Sequence, residues 1–567
     1  MPGSGRQAGH PGLARILLER LAADTARTVL VEVGPDGISH PVAAATLLAE
    51  IAAGSAAVAA ASGPEAIIAI ASRQPARQAA AWLSVLAAGR LPCFLAPPSP
   101  HMDPAKQRRD RAGMMAAAGI TLLADDHGLH AADGAERIAW PAPSGTVAPR
   151  AFPEPHLRAG RPVLVQHSSG TTGRPKGIAL TTEQVLDHAT AYAGVTGLAP
   201  GHRIVSWLPL YHDMGFVACF LMPLLLGIPY VQIDPFHWAK DPLLLWEKLR
   251  EHGGSHVWLP NFAFALFARL GPQAAARGLS LDGLQMLVNC SETVSQRSID
   301  DFAAAYGPFG LRRQSIHACY AMAENVFAVT QTASGPPSIV AADRRQAERE
   351  GRILPAPDPR YEVVYVSSGR PLPTTRLRIV DQQGVDLPAA RVGEIQVAGS
   401  HCIDAYMTAP AGREAAFSGG WYRTGDRGFL MDGELYVIGR EAEFVIVNGR
   451  NIPLLDIEAA ADTVTGVHRG RTIALAVYDE AAGSERPVVI GEAEDPALAG
   501  RPEDAPARAL GLALRQRIRE TLDIALGDVR IVPARWIVKS TSGKKARAAT
   551  LAKYIAAFRP DLLTPEE

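Results

Sequence analysis

The chain has 567 residues, too many for one core and enough for a large folded unit plus a smaller one. Its 56 Lys and Arg against 57 Asp and Glu leave no global field that would draw it to nucleic acid or an anionic membrane surface. Five scattered cysteines, Cys93, Cys219, Cys290, Cys319 and Cys402, form no CxxC pair; they argue against a disulfide framework or a zinc site and fit a reducing cytoplasm.

In chain order, residues 1–12 are polar, contain Gly and Pro and lack an apolar h-region, so no secretory signal is expected. The run 66–71 reads as a buried strand, 79–88 as a helix and 91–95 as the next strand, closed by a Pro-rich turn at 97–100. The rhythm repeats near 120–124, and β-α-β alternation predicts a largely parallel sheet covered by helices. Short strands are expected at 163–165 and 178–180, on either side of a glycine-rich loop. The span 214–233 carries no charge and is long enough to suggest a membrane crossing. Gly215, Pro223, Gly227 and Pro229 divide it, so a helix followed by a core strand at 228–233 is expected, in a soluble protein without a transmembrane segment.

From 334 to 368 the periodicity fades around two Pro-rich stretches and a charged run, a mixture that reads as an excursion unable to build a core. Beyond it, 376–380, 393–397 and 434–438 read as strands of a small β-rich unit. From about 441, strands at 444–447 and 473–477 and helices at 505–522 and 546–556 suit a compact α+β domain. The predicted fold class is therefore α/β with α+β: a large N-terminal body of layered α/β subdomains with a β-rich subdomain, then a small C-terminal α+β unit.

The most informative segment is 167–177, His-Ser-Ser-Gly-Thr-Thr-Gly-Arg-Pro-Lys-Gly. Glycines allow close backbone approach, hydroxyls donate hydrogen bonds and the cations offset charge, which is the composition of a polyphosphate clamp. It is not a Walker loop, because a strand rather than a helix follows and Pro175 stands where a Gly should precede the Lys. Ser168, Ser169, Gly170, Thr171, Thr172, Gly173 and Lys176 are its candidate phosphate contacts. Further on come Tyr320-Ala-Met-Ala-Glu324, and then Tyr422-Arg-Thr-Gly-Asp426 followed by Gly433 to Arg440. A carboxylate ending a tight turn, as Asp426 does, suits paired hydrogen bonds to ribose hydroxyls. Near the end lies Lys539-Ser-Thr-Ser-Gly-Lys544, and upstream Ser206-Trp-Leu-Pro-Leu-Tyr-His-Asp-Met-Gly215. Singly, each has a bland alternative: a polar hairpin, a helix start, an acidic hairpin, a solvated loop, a structural histidine.

Together these segments resemble the motifs of the adenylate-forming (AMP-dependent synthetase/ligase) superfamily, and they are most like those of fatty acyl-AMP ligases. The resemblance runs from about residue 60 onward. It implies ATP and Mg²⁺, with Glu324 and Thr172 at the metal, Tyr320, Ala321, Met322 and Ser291 around adenine, Asp426 on the ribose and Arg440 near phosphate and ribose. It implies Lys544 as the catalytic lysine, carried on a mobile lid at 441–567 over a body at 1–440. His212 would stand near the reacting carboxylate, with Trp207, Asp213, Gly215, Phe216 and Phe262 around the acid, and 334–366 would be the insertion typical of that branch. The implied reaction turns a carboxylic acid, expected to be fatty, into an acyl-adenylate and loads it onto an acyl carrier protein supplied in trans, in the cytoplasm. An acyl-CoA synthetase and a non-catalytic adenylate-binding scaffold are the alternatives. Departures from the usual motifs occur at Ala321, at Cys290-Ser291 and at Ala442.

Overall fold

A computed structural model of the chain describes residues 12–98, 104–125, 136–140, 160–167, 176–407, 416–447, 449–479, 484–501, 503–539 and 544–562. The largest element is a nine-stranded sheet. From one edge it runs Arg370–Pro371, Ala328–Gln331, Ile316–Ala321, Met286–Cys290, His256–Pro260, Ile204–Ser206, Tyr230–Ile233, Thr28–Val33 and Ser39–Ala43. The strands from Ile316–Ala321 across to Thr28–Val33 are parallel, and antiparallel neighbours close both edges. Helices cover this sheet, and Tyr230–Ile233, His256–Pro260 and Met286–Cys290 are buried at every position, the continuous apolar pattern of strands covered on both faces.

A second parallel sheet orders Leu91–Phe94, Ile67–Ala71, Ile120–Asp125 and Glu136–Ile138. The helix Pro75–Ala87 packs beside it, with Ala79 to Ala87 all buried. Ala44–Ala61 lies on that helix so closely that a side chain on Gly54 would meet the Ser84 hydroxyl at 2.5 Å. By length and composition Ala44–Ala61 is apolar enough to cross a membrane, whereas the apolar helical stretch Met214–Leu226 is shorter. The Leu47, Leu48, Ile51 and Val58 face of Ala44–Ala61 is buried in the main core.

The uncharged span 214–233 forms a π-helix, Met214–Leu221, one turn of α-helix, Met222–Leu226, and the strand Tyr230–Ile233. All eight residues of the π-helix are buried. Gly215 lets it seat against the preceding loop, since a Cβ there would stand 2.3 Å from the Pro209 carbonyl oxygen. The hairpin Pro162–His167 with Gly177–Thr181 brackets the glycine-rich loop; residues 168–175 lie outside the described residues. Thr181 then starts the helix Thr182–Thr196 through a reciprocal cap with Gln184.

The segment from 334 onward is ordered, contrary to the sequence expectation. It forms the strand pair Ile339–Asp343 and Glu362–Val366 with the helix Arg344–Glu350 between them. The fragment cannot build a core alone; it borrows one. Ala342, Ala347 and Ile353 pack with Phe429, Tyr436 and Ile438 of the neighbouring antiparallel sheet. That sheet comprises Thr375–Val380, Gly393–Gly399, Trp421–Met431 and Phe417–Ser418, with Glu434–Arg440 paired on Trp421–Met431. The C-terminal part holds the hairpin Phe444–Val447 with Arg450–Pro453 and a three-stranded sheet of Val467–Asp479, Ser484–Ala493 and Asp528–Val532. One face of that sheet packs on the helices Leu454–Ala461 and Ala505–Leu522, the other on Arg547–Phe558. The fold is α/β with a small C-terminal α+β part, as expected from the sequence.

Candidate active site

Parallel strands end on one edge of the large sheet, and ligands of such sheets bind outside those carboxyl ends. Ile204–Ser206 leads into Trp207 to Asp213, His256–Pro260 into Asn261 and Phe262, Met286–Cys290 into Ser291 and Glu292, and Ile316–Ala321 into Met322 to Glu324. The turn after Met286–Cys290 is braced: Asn289 Nδ2 donates to Asn261 Oδ1 at 2.9 Å, and the Phe262 amide donates to Glu292 Oε2 at 2.8 Å. Ser291 adopts φ 70°, an uncommon conformation for a residue with a side chain. Its carbonyl accepts a 2.6 Å hydrogen bond from Lys544 Nζ, which arrives from 253 positions further along the chain. Of the Lys539–Lys544 segment, 540–543 lie outside the described residues.

The same ammonium is close enough to act on Asp213. Burial alone would raise the Asp213 pKa, but His212 and Lys544 hold it below the usual carboxylate range. His212 Nδ1 stands 2.6 Å from Asp213 Oδ1. Lys544, Ser291, Asp213 and His212 thus form one group.

A second group surrounds Glu324, which is 7% exposed. Its Oε1 accepts from the Tyr406 hydroxyl at 2.8 Å, and Tyr406 and Tyr422 share a further 2.8 Å hydrogen bond. Lys176 Nζ lies 4.5 Å from the centre of the Tyr406 ring, so the end of the phosphate-type loop is held beside Glu324. Past Glu324 the chain makes a tight three-residue turn: the Phe327 amide donates to Asn325 O at 2.7 Å, with Val326 at φ 63°. A β-branched residue in that region is strained, and Gln166 Nε2 fixes it by donating to Val326 O at 3.1 Å.

The third group is Tyr320, Asp426 and Arg440. The Tyr320 hydroxyl donates to Asp426 Oδ2, and Arg440 Nε lies 3.3 Å from Asp426 Oδ1. Cross-strand pairing of Asp426 with Arg440 sets this geometry. Burial lifts the Asp426 pKa above the usual range, against the pull of Arg440 and Tyr320. Burial and the neighbouring Asp426 keep the Tyr320 phenol protonated.

Not every candidate converges. Trp207 is stacked on Trp238, ring centres 3.6 Å apart and planes 2° from parallel, with Phe262 6.3 Å away. Phe216, by contrast, does reach the site: with Trp82 and Phe94 it borders the recess beside His212 and Asp213, and Phe220 packs behind it. Gly215 serves helix seating, and Ala321 pairs with Ala328 at an irregular register while Met322 packs beside Tyr320. Ser168 to Gly173, Thr172 included, lie outside the described residues. Sequence reasoning missed Tyr406, Gln166, Trp82 and Phe94; only the position of Phe94 in a strand next to a Pro-rich turn hinted at a site-facing role.

The C-terminal part meets the rest through charged groups. Arg450 Nη2 lies 2.6 Å from Glu348 Oε2, both side chains buried, and also donates to Leu522 O at 2.9 Å. Arg344 Nη1 donates to Thr521 O at 2.6 Å and Asn451 Nδ2 donates to Glu348 O at 3.4 Å, so Arg344–Glu350 meets the C-terminal part at three points. Beside Lys544, Lys545 and Arg547 both pair with Glu458, and Arg547 reaches Glu443 at 3.5 Å.

A family model described as AMP-binding enzyme matches residues 49–407. A putative fatty-acid–CoA ligase, fadD25 of Mycobacterium tuberculosis, is 33% identical over 421 residues, 69% of each chain. The long-chain-fatty-acid–AMP ligase FadD26 of Mycobacterium marinum is 29% identical over 424 residues, 71% of each. Among solved structures, one from a study of fatty acyl-adenylate ligases from E. coli and L. pneumophila superposes with a TM-score of 0.82 at 24% identity, covering 98% of this chain and all of the other, a likeness of fold.

Proposed function

This chain belongs to the AMP-binding enzyme family, and from that premise we propose that it activates a fatty or related apolar acid as its acyl-adenylate and passes the acyl group to the phosphopantetheine thiol of an acyl carrier protein. A carboxylate oxygen bonds to the α-phosphorus of ATP, the bond from that phosphorus to the bridging oxygen breaks, and pyrophosphate leaves with the electron pair. In the second step the carrier thiol, losing its proton, attacks the acyl carbonyl and AMP departs.

The observation that carries this reading is Lys544 delivered to the Ser291 carbonyl beside Asp213 and His212. One ammonium placed there eases repulsion between two anions, the carboxylate and the α-phosphate, as they close. Asp426 accepts from the ribose hydroxyls, held by Tyr320 and Arg440. Tyr320, Ala321, Met322 and Ser291 flank the base, and 168–176 wraps the triphosphate. Among the described residues no three His, Cys, Asp or Glu side chains gather into a metal cage. A single buried Glu324 suits Mg²⁺, which takes few carboxylates and completes its shell with phosphate oxygens and water. When bound, Mg²⁺ neutralises charge on the triphosphate, with Glu324 and Thr172 as its protein contacts.

We assign 1–440 to the body and 441–567 to the lid, hinged at Gly439 to Glu443, and place the protein in the cytoplasm, where its five free thiols stay reduced. The grip of Arg344–Glu350 on the lid supports a carrier protein as acceptor, since it opposes the swing that a CoA-dependent second step needs. The CoA ligase reading stands as the second one because the 33% identical relative is described as a fatty-acid–CoA ligase. The test is ATP-dependent pyrophosphate release across a carboxylic-acid panel, then mass spectrometry with CoA and a holo-carrier protein. Acyl-carrier product without matching acyl-CoA is expected; acyl-CoA formed as fast as adenylate is consumed overturns the choice of acceptor.

A further inference from the structure

Beside His212 and Asp213 opens a recess of about 250 Å³, counting its mouth, whose apolar wall includes Trp82, Phe94, Phe216 and Val165. The Trp82 and Phe94 rings stand 5.3 and 5.7 Å from Phe216. Behind them Phe220 closes the gap, 5.6 Å from Trp82, 6.1 Å from Phe94 and 5.9 Å from Phe216, and is itself backed by Tyr230 at 6.0 Å. The wall is two rings deep. Trp82, Phe216 and Phe220 are 1%, 3% and 0% exposed, so among the described residues no open channel runs past them.

This wall has little freedom to retreat. Trp82 projects from a helix buried along its whole second half, and Phe216 and Phe220 share the fully buried π-helix. Gly215 pins the start of that helix against the Pro209 carbonyl. An elongated alkyl chain entering from the His212 side would have to displace packed aromatic rings, and interiors this dense do not yield continuously.

We propose that Trp82, Phe94 and Phe216 form the floor of the acid site, and that the acid activated here is compact: a short or medium-length alkanoic acid or an aryl-terminated one, not a long-chain fatty acid. This rests on the acid-activating role proposed above and assigns that site its substrate class. The length limit comes from side chains on two helices and one strand, none of them in the motifs that identify the chemistry.

The experiment measures kcat/KM for pyrophosphate release with hexanoic, octanoic, 3-phenylpropanoic and palmitic acids, in the wild-type chain and in Trp82→Ala and Phe94→Ala. Wild-type should favour the best compact acid over palmitic acid by about tenfold or more, the scale on which a closed apolar pocket discriminates by length. Either variant that stays folded by circular dichroism should move the preference towards palmitic acid by a similar factor. Equal or better use of palmitic acid by the wild type overturns the proposal, as does an unchanged length preference in both folded variants. Calorimetric titration with the same acids separates this from the reaction itself. If no acid releases pyrophosphate, the activating role falls, while the floor is judged by binding: compact acids binding and palmitic acid not binding upholds it, and palmitic acid binding as tightly overturns it.

Discussion

Asp426 shows how single residues would fix the nucleotide in the proposed site. Tyr320 and Arg440 hold its carboxylate in one orientation, and burial keeps water from competing for it. Asp426→Asn should raise the KM for ATP by about tenfold or more, the worth of a hydrogen bond to a charged group, with a smaller effect on kcat. Initial rates at saturating acid check this; an unchanged KM removes Asp426 from the ribose. Lys539 makes a different kind of prediction. Burial, reinforced by Arg471, lowers its pKa from 10.5 to about 8. Between those values the unfolded chain holds a proton that the folded chain has released, so this group's contribution to stability rises with pH across the window. Below about pH 8 the folded chain bears the full cost of burying the ammonium. Lys539→Met should therefore raise the melting temperature near pH 7, and the gain over wild type should shrink towards about pH 10 in a fluorimetric melt. Glu324, Asp426 and Lys544 are legible in the sequence because each lies in a short motif whose local backbone carries the signal. Tyr406 is not, since it meets Glu324 from 82 residues away and nothing beside it marks it.

At the scale of elements, the unit formed by Ile339–Asp343, Arg344–Glu350 and Glu362–Val366 links the body to the C-terminal part. Its main tie, Glu348 to Arg450, is 4% and 8% exposed, whereas the Arg469–Asp301 contact between the same two parts is nearly half exposed. An exposed pair contributes about 0–1 kcal/mol, while breaking a buried one costs about 3–5 kcal/mol, so the buried tie governs how the lid is held. Burial lifts the Glu348 pKa despite Arg450, which marks the pair as an orienting device more than a source of net stability. Glu348→Ala should loosen the lid and increase acyl transfer to CoA several-fold relative to adenylate formation. A CoA product rate equal to wild type, read by mass spectrometry, would show that this clasp does not choose the acceptor. The sequence hid this element because its core is borrowed: Ala342, Ala347 and Ile353 look sparse until Phe429 and Tyr436 complete the cluster. Strands buried on both faces, such as Ile67–Ala71 and Met286–Cys290, announce themselves by unbroken apolar runs. The π-helical form of Met214–Leu221 is absent from the pattern, since an uncharged run of this length carries no periodicity that separates a π-helix from an α-helix.

At the scale of the whole molecule, the chain brings its last motif back onto its first sheet. Lys544 reaches Ser291, while Lys545 and Arg547, flanking it, are anchored on Glu458 within the C-terminal part, and Arg547 also touches Glu443 at the proposed hinge. The lysine is thus presented from a braced segment, and the Glu348–Arg450 clasp opposes the hinge swing that would withdraw it. In the proposed reaction this arrangement would serve the first half-reaction, with the aromatic floor setting which acids enter and Lys544 completing the charge balance when they do. The most direct test is single-turnover pyrophosphate release from ATP with a saturating compact acid, in wild type and Lys544→Ala, alongside equilibrium ATP binding to both. The expected result is a loss of about 10²–10³-fold or more in rate, as for removal of a preorganised charge at the reacting centre, with ATP affinity nearly unchanged. Wild-type rates in Lys544→Ala would contradict the account.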